Sequence, residues 1–426
     1  METKSPSALI ETVVEEVFRL QGKGLREIKE ITGGSFFLPP SLPAPEGRSI
    51  WITPDGLRAV HLLGNWWKTG SDIGRRTTTG EAHKAVARAI GKVLATFSRE
   101  TLTEVLAPKE LRKRIEEEIA PLVGDTEHFF RIHLFRHFKT DTLLVGPVRL
   151  ETGEVWRARI AAQGSGDQLD PSHWDGIASS PWIGGVTIRG RTLERSREQA
   201  AACLRLALDT ITLPMSISQS REVRGPSDAF EPGRTQTATR FSNGFLGWGG
   251  SSEVFGLQSA ADDTEEFIAR QSGLFESVGQ ILTLLTDDGG VERPILKRHW
   301  IEALYWFGES RRSADDFVAL VKIGITLDIL SGGGEDRGIT DLCKKIWGRE
   351  EGQPVTSDGR SIKKVVRQIY NEGRSRISHG TRFGLLEDLP VLRADADRFC
   401  AIVLIAYVEL LDRYSGPDDP KAFRSS

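Results

Sequence analysis

The chain has 426 residues, 39% of them hydrophobic and 27% charged, and a formal net charge of −3. That length exceeds one ordinary hydrophobic core, so at least two domains are expected, and the composition is globular rather than fibrous or disordered. Near-neutral charge excludes a general electrostatic grip on nucleic acid, so any such contact must come from a local basic patch.

The first part of the chain reads as helical. Leu9, Ile10, Val13, Val14, Val17 and Phe18 form one amphipathic stripe, and Ala85, Val86, Ala89, Ile90, Val93, Leu94 and Phe97 form another. Pro39, Pro40, Pro43 and Pro45 mark a loop between them. From His128 the texture turns to strands: HFFRIHLFRHF, TLLVGPVRL and VWRARIAAQ are rich in β-branched and aromatic residues, with turn signals such as Glu151-Thr152-Gly153 between them. WIGGVTIRG leads into a helix from Thr192 to Asp209, and short strands are expected to continue through Phe255, with GPSDAFEPGR (225–234) and GFLGWGG (244–250) as loops. Past residue 260 the pattern is almost purely helical: Phe267–Leu285, Pro294–Glu309, Asp315–Leu330, Ile362–Ser378 and Ala394–Tyr414 each carry an apolar face. Gly332-Gly333-Gly334 ends the third of these helices, and Gly380 ends the fourth. The expected fold class is α+β, with a mixed N-terminal domain containing antiparallel strands (1–255) and an all-helical C-terminal bundle (256–426).

Several chemistries are set aside. Cys203, Cys343 and Cys400 are far apart and form neither a metal spacing nor a disulfide framework, which suits a reducing compartment. The N-terminus lacks a secretory pattern, and the apolar run Phe399–Leu411 is too short to span a bilayer, so the expectation is a cytoplasmic protein without a membrane role. His133 and His137 share a strand face but would lie roughly 13 Å apart, at about 3.3 Å per residue, with His128 opposite, so no metal or other cofactor is expected. Arg131, Arg136, Lys139, Arg157 and Arg159 read as the solvent face of that sheet, and Trp66-Trp67 and Phe36-Phe37 as core. The triple glycine lacks the Lys-Ser/Thr of a phosphate loop.

The segment IYNEGRSRISHG (369–380) carries the chemistry. Cleaving an RNA phosphodiester without a metal needs a base for the 2′-hydroxyl, an acid for the leaving 5′-oxygen and a cation for the charged phosphorane. His379 supplies a group that titrates near neutrality and Arg374 a bidentate fork for phosphate oxygens. On a straight α-helix, residues five apart diverge by roughly 140°, at about 100° per residue. Two arrangements resolve this: the helix ends near His379, before Gly380, or two subunits pair these helices so that both Arg/His pairs line one cleft. A single histidine also lacks a second proton-transfer partner, which favours the dimer. The bland alternative is a solvated arginine and a histidine capping a helix end.

YNEGRSRISHG resembles the R-x4-6-H signature of HEPN domains, in particular the Apea-like HEPN family, with Tyr370 before the arginine and Gly380 after the histidine. RHWIEALYWFGESRRSADDFVALVKIGITLDIL (298–330) is similar to the paired helices of that family, with Asp328 at an acidic position where glutamate is more frequent. Ser375 stands where the family usually has Asn, Asp or His. The resemblance covers residues 260–415. It implies a metal-independent endoribonuclease acting as a homodimer through the HEPN domain and leaving a 2′,3′-cyclic phosphate and a 5′-hydroxyl. Arg374 and His379 are then catalytic, with Ser375, Tyr370 and Asp328 supporting. It also implies a toxin-like role in bacterial anti-phage defence (abortive infection), the N-terminal part sensing a phage-derived trigger, binding substrate or restraining the nuclease. The alternatives are a catalytically silent HEPN module that binds RNA or a protein partner, and a purely structural helical assembly domain.

Overall fold

In the computed structural model the described residues are 4–32, 40–163, 181–225, 234–240, 246–252, 256–287, 289–356, 358–375 and 389–425. The chain is α+β, predominantly helical, with small antiparallel sheets. It divides into two compact units, residues 1–126 with 188–198 and residues 127–187 with 199–426. The change of texture near residue 255 falls inside the second unit, which holds strands as well as the helical bundle.

The first unit contains α1 (Pro6–Phe18), α2 (Leu25–Ile31), the hairpin β1 (Ser41–Pro43) and β2 (Ser49–Trp51), then α3 (Pro54–Gly70), α4 (Asp72–Arg75), α5 (Thr79–Thr96), α6 (Leu102–Val105) and α7 (Pro108–Ile119). Polar side chains start its main helices: Ser5 accepts from the amide of Ala8, Thr53 from Gly56 and Thr78 from Glu81. The apolar stripes of α1, α3, α5 and α7 meet in one core that includes Val13, Leu63, Val86 and Ile115. Trp67 is fully buried there, as expected, and Trp66 packs against its edge; Phe36 and Phe37 lie outside the described residues.

The next strands, most of whose residues fall in the second unit, are β3 (Gly124–Ile132), β4 (Thr142–Val145), β5 (Val148–Thr152) and β6 (Trp182–Arg191), in the order β3-β6-β5-β4. VWRARIAAQ is not the strand expected from its sequence. It forms α8 (Gly153–Ala162), because Thr152 caps the amide of Val155 and Trp156 and Ile160, four apart, bury one face. Arg157 and Arg159 are therefore on a helix and not on the sheet. Arg159 lies over Phe129 and pairs with Glu151 and Glu127, so it is not a free solvent-facing cation. The expected helix after WIGGVTIRG is α9 (Leu193–Thr212), followed by α10 (Ile217–Ser220). Residues 246–252, mostly expected as loop, form β8, which pairs with β7 (Arg234–Arg240).

The bundle comprises α11 (Ala261–Thr286), α12 (Pro294–Arg312), α13 (Asp316–Leu330), α14 (Glu335–Trp347), α15 (Ile362–Arg367), a π-helical segment (Gln368–Ser375), α16 (Pro390–Arg413) and α17 (Pro420–Ser425). No described helix is by itself long and apolar enough to cross a membrane. The three cysteines are buried and unbonded, and burial pushes the Cys203 thiol up to about 12. Gly146, in the β4–β5 turn, meets Gly279 of α11 backbone to backbone, a contact that leaves no room for a Cβ on either side.

One ion pair lies at the heart of this unit. Arg311 of α12 is 4% exposed and Asp397 of α16 is 5% exposed. Their atoms meet twice at 2.8 Å, and Arg311 also donates to the carbonyls of Thr212, the last residue of α9, and Met215 just past it. Desolvating both charges is tolerated because each guanidinium nitrogen finds an oxygen. Asp397→Ala leaves the guanidinium buried without its counter-charge. It is expected to cost ~3–5 kcal/mol in urea unfolding; a loss below ~1 kcal/mol would show that the pair is not structural.

Candidate functional site

α13 is a largely apolar helix that carries Asp328 near its end. Its face at Leu320, Gly324 and Asp328, spaced by four, turns toward the π-helical segment. The Leu320 side chain would be met by a Cβ placed on Gly373. A Cβ on Gly324 would lie 2.6 Å from Arg374 Cβ and 2.9 Å from its Cδ, so the glycine is what lets the arginine stem lie against the helix. One turn further on, Asp328 Oδ2 is 3.3 Å from Arg374 Nη1. The same guanidinium nitrogen donates to the Tyr370 hydroxyl, and the guanidinium carbon sits 4.9 Å from the centre of the tyrosine ring.

Three residues singled out from sequence, Tyr370, Arg374 and Asp328, are thus brought together. Asp328 and Arg374 are each about a quarter exposed, at 24% and 27%, so the pair opens to solvent. Burial pushes the Tyr370 hydroxyl above its ordinary range. Asp328, Glu335 and Asp336 push it the same way, while Arg374 opposes them. The other carboxylate oxygen, Asp328 Oδ1, is buried and accepts no hydrogen bond among the described residues. Ser375 closes the π-helical segment, half-buried. His379 and Gly380 lie outside the described residues.

Asp328 is fixed by the way α13 ends. The amide of Gly333 and the hydroxyl of Ser331 both donate to the Asp328 carbonyl, at 2.9 Å each. Gly332, Gly333 and Gly334 all take positive φ, so the triple glycine is the helix stop that its sequence suggested. Arg424 of α17 clamps the turn through the carbonyls of Ser331 and Gly333.

The π-helical segment departs from the continuous helix expected over Ile362–Ser378. Its hydrogen bonds run from i to i+5, and such segments are rare and concentrate at functional sites. In that geometry residues five apart stack along one face, as residues four apart do in an α-helix. The segment ends at Ser375, one residue after Arg374, so this geometry is shown for Gln368–Ser375 alone.

Gly324 escaped sequence reading. A glycine inside the apolar run Val318–Leu330 was the available signal, since it costs roughly 1 kcal/mol in a helix interior and so marks a packing need. The histidines considered for metal binding are scattered: His128 is in β3, His133 bridges to Arg224, and His137 gives its carbonyl to Thr264. Among the described residues no group of three or more His, Cys, Asp or Glu is placed to hold a metal.

In comparisons with family profiles, characterised proteins and solved structures, no match to this chain was found.

Gly324→Ala is expected to overpack the contact with Arg374 and destabilise by ~1–3 kcal/mol. Gly273→Ala, at an exposed α11 position with nothing within 4 Å, is the control. It is expected to stabilise by up to ~1 kcal/mol. Equal shifts in urea unfolding for the two variants would remove the special role of residue 324.

Proposed function

We propose that the C-terminal bundle is a metal-independent HEPN-type endoribonuclease. The observation that supports this reading most is the Arg374 guanidinium, presented to solvent from a π-helical segment and steadied by Tyr370 and Asp328, five residues before His379. Arg374 would take the phosphate oxygens of the scissile linkage through its fork and stabilise the charge that builds on the phosphorane. His379 would draw the proton from the 2′-hydroxyl. The 2′-oxygen forms a bond to phosphorus as the bond to the 5′-oxygen breaks, giving a 2′,3′-cyclic phosphate and a 5′-hydroxyl. The proton for the leaving oxygen comes from a second acid, and the histidine of a second copy paired through the same bundle supplies one. Asp328 and Tyr370 do not transfer protons in this scheme. They hold the arginine stem and fork in place before substrate arrives.

The wider reading is a cytoplasmic, toxin-like effector of anti-phage defence, in which residues outside the bundle sense a phage-derived trigger or restrain the nuclease. It rests on the family resemblance of residues 260–415 and on no feature of the first unit.

A second reading is favoured by one observation. Arg374 already has a carboxylate partner, so a phosphate must compete with Asp328 for it. In that reading the bundle is a silent HEPN module that binds RNA or a protein partner without cutting.

His379→Ala is expected to lower the rate of RNA cleavage at least about a hundredfold, the ordinary contribution of a positioned acid–base group, with RNA binding retained in a gel shift. Cleavage at the unaltered rate would remove His379 from the chemistry. Retention of RNA by a wild-type chain that never cuts it would favour the silent module.

A further inference from the structure

A cavity of about 760 Å³ lies in the second unit between the end of α14, the turn before α15, the first residues of the π-helical segment and α16. Its volume is within the range of small-molecule pockets, roughly 300–1,000 Å³. Trp347 and Phe399 meet edge to face there, with ring centres 5.4 Å apart, and Val365, Ile369 and Leu392 extend the apolar wall.

The polar groups are unequally engaged. Asp358 and Asp395 both use Arg360, at 2.7 Å each, and Arg360 also donates to Gln368 Oε1 at 3.0 Å. The carboxylate acceptors of the lining are therefore already held by a cation. Two donors are not so engaged: the Arg398 guanidinium and the Trp347 indole N–H have no hydrogen-bond or ion-pair partner among the described residues. Arg349 adds a further cation, donating at 2.7 Å to the carbonyl of Pro354. Three arginines against two aspartates leave the lining with an excess of one positive charge.

We infer that this cavity is a binding site for an organic carboxylate with an apolar body. The body lies against Trp347 and Phe399, and the head takes the fork of Arg398. An aliphatic acid and an aryl acid share this chemistry, and a cavity with an apolar wall, spare donors and engaged acceptors selects against a neutral or cationic head. The site does not depend on the ribonuclease reading, since Arg374, whose contacts carry that reading, does not line it.

Isothermal titration calorimetry of the full chain with decanoate, indole-3-acetate and neutral indole-3-acetamide tests this. At least one of the two acids is expected to bind saturably at one site per chain, and which one does so separates aliphatic from aryl ligands. The amide is expected to bind more than about tenfold more weakly than indole-3-acetate, the loss of one charge-assisted contact. Arg398→Glu, an exposed position, is expected to abolish acid binding with an unchanged melting temperature, and Trp347→Leu to weaken it more than about tenfold. The proposal is overturned by no saturable binding of either acid, by equal affinity for the amide and indole-3-acetate, or by acid binding that both substitutions leave intact.

Discussion

Holding the Arg374 guanidinium against α13 is the constraint on which the candidate site depends. A long cationic side chain loses rotamer freedom when fixed, and a partly buried charge loses hydration. Both losses are offset at one place by Asp328, one turn beyond the glycine, and by Tyr370, one turn before the arginine on its own segment. Asp328 meets the guanidinium because the arginine stem lies on the helix, and Gly324 is what permits that. The triple glycine that ends α13 and the Arg424 clamp on it then fix where Asp328 stands. A glycine that weakens α13 locally is thus tied to the placement of one charge.

The π-helical segment bears on the chemistry directly. Metal-free RNA cleavage needs an arginine and a proton-transfer group within reach of one phosphate. The π-helical segment carries the first of these groups and ends at Ser375, one residue after it. Gln368 and Ile369, at its start, line the cavity beside α16, while Tyr370 and Arg374 belong to the candidate site.

Much of this fold is legible in the sequence, for identifiable reasons. Helices with a clean apolar stripe and a terminal signal stand out: Pro294 opens α12, Asp315 caps α13, and the triple glycine stops it. VWRARIAAQ misleads because Val, Trp and Ile suggest a strand, whereas the decisive information is the capping threonine and the four-residue spacing of Trp156 and Ile160. Arg374, Tyr370 and Asp328 are visible because the segments that hold them, 369–380 and 298–330, carry the resemblance read from the sequence. Gly324 is not, because its role is the absence of a side chain, which only its neighbour reveals. The π-helix is hidden too, since its hydrogen-bond shift leaves no distinct residue pattern. The Arg311–Asp397 pair, with its partners at the end of α9, joins positions 86 residues apart and has no local signature.

The most direct measurement is the chemistry of the ends left on RNA by the full chain in the presence of EDTA. The proposed mechanism predicts cleavage that survives chelation, 2′,3′-cyclic phosphate and 5′-hydroxyl termini, and resistance at a linkage whose 2′-hydroxyl is replaced by hydrogen. Loss of cleavage in EDTA, or 3′-hydroxyl and 5′-phosphate ends, would contradict it.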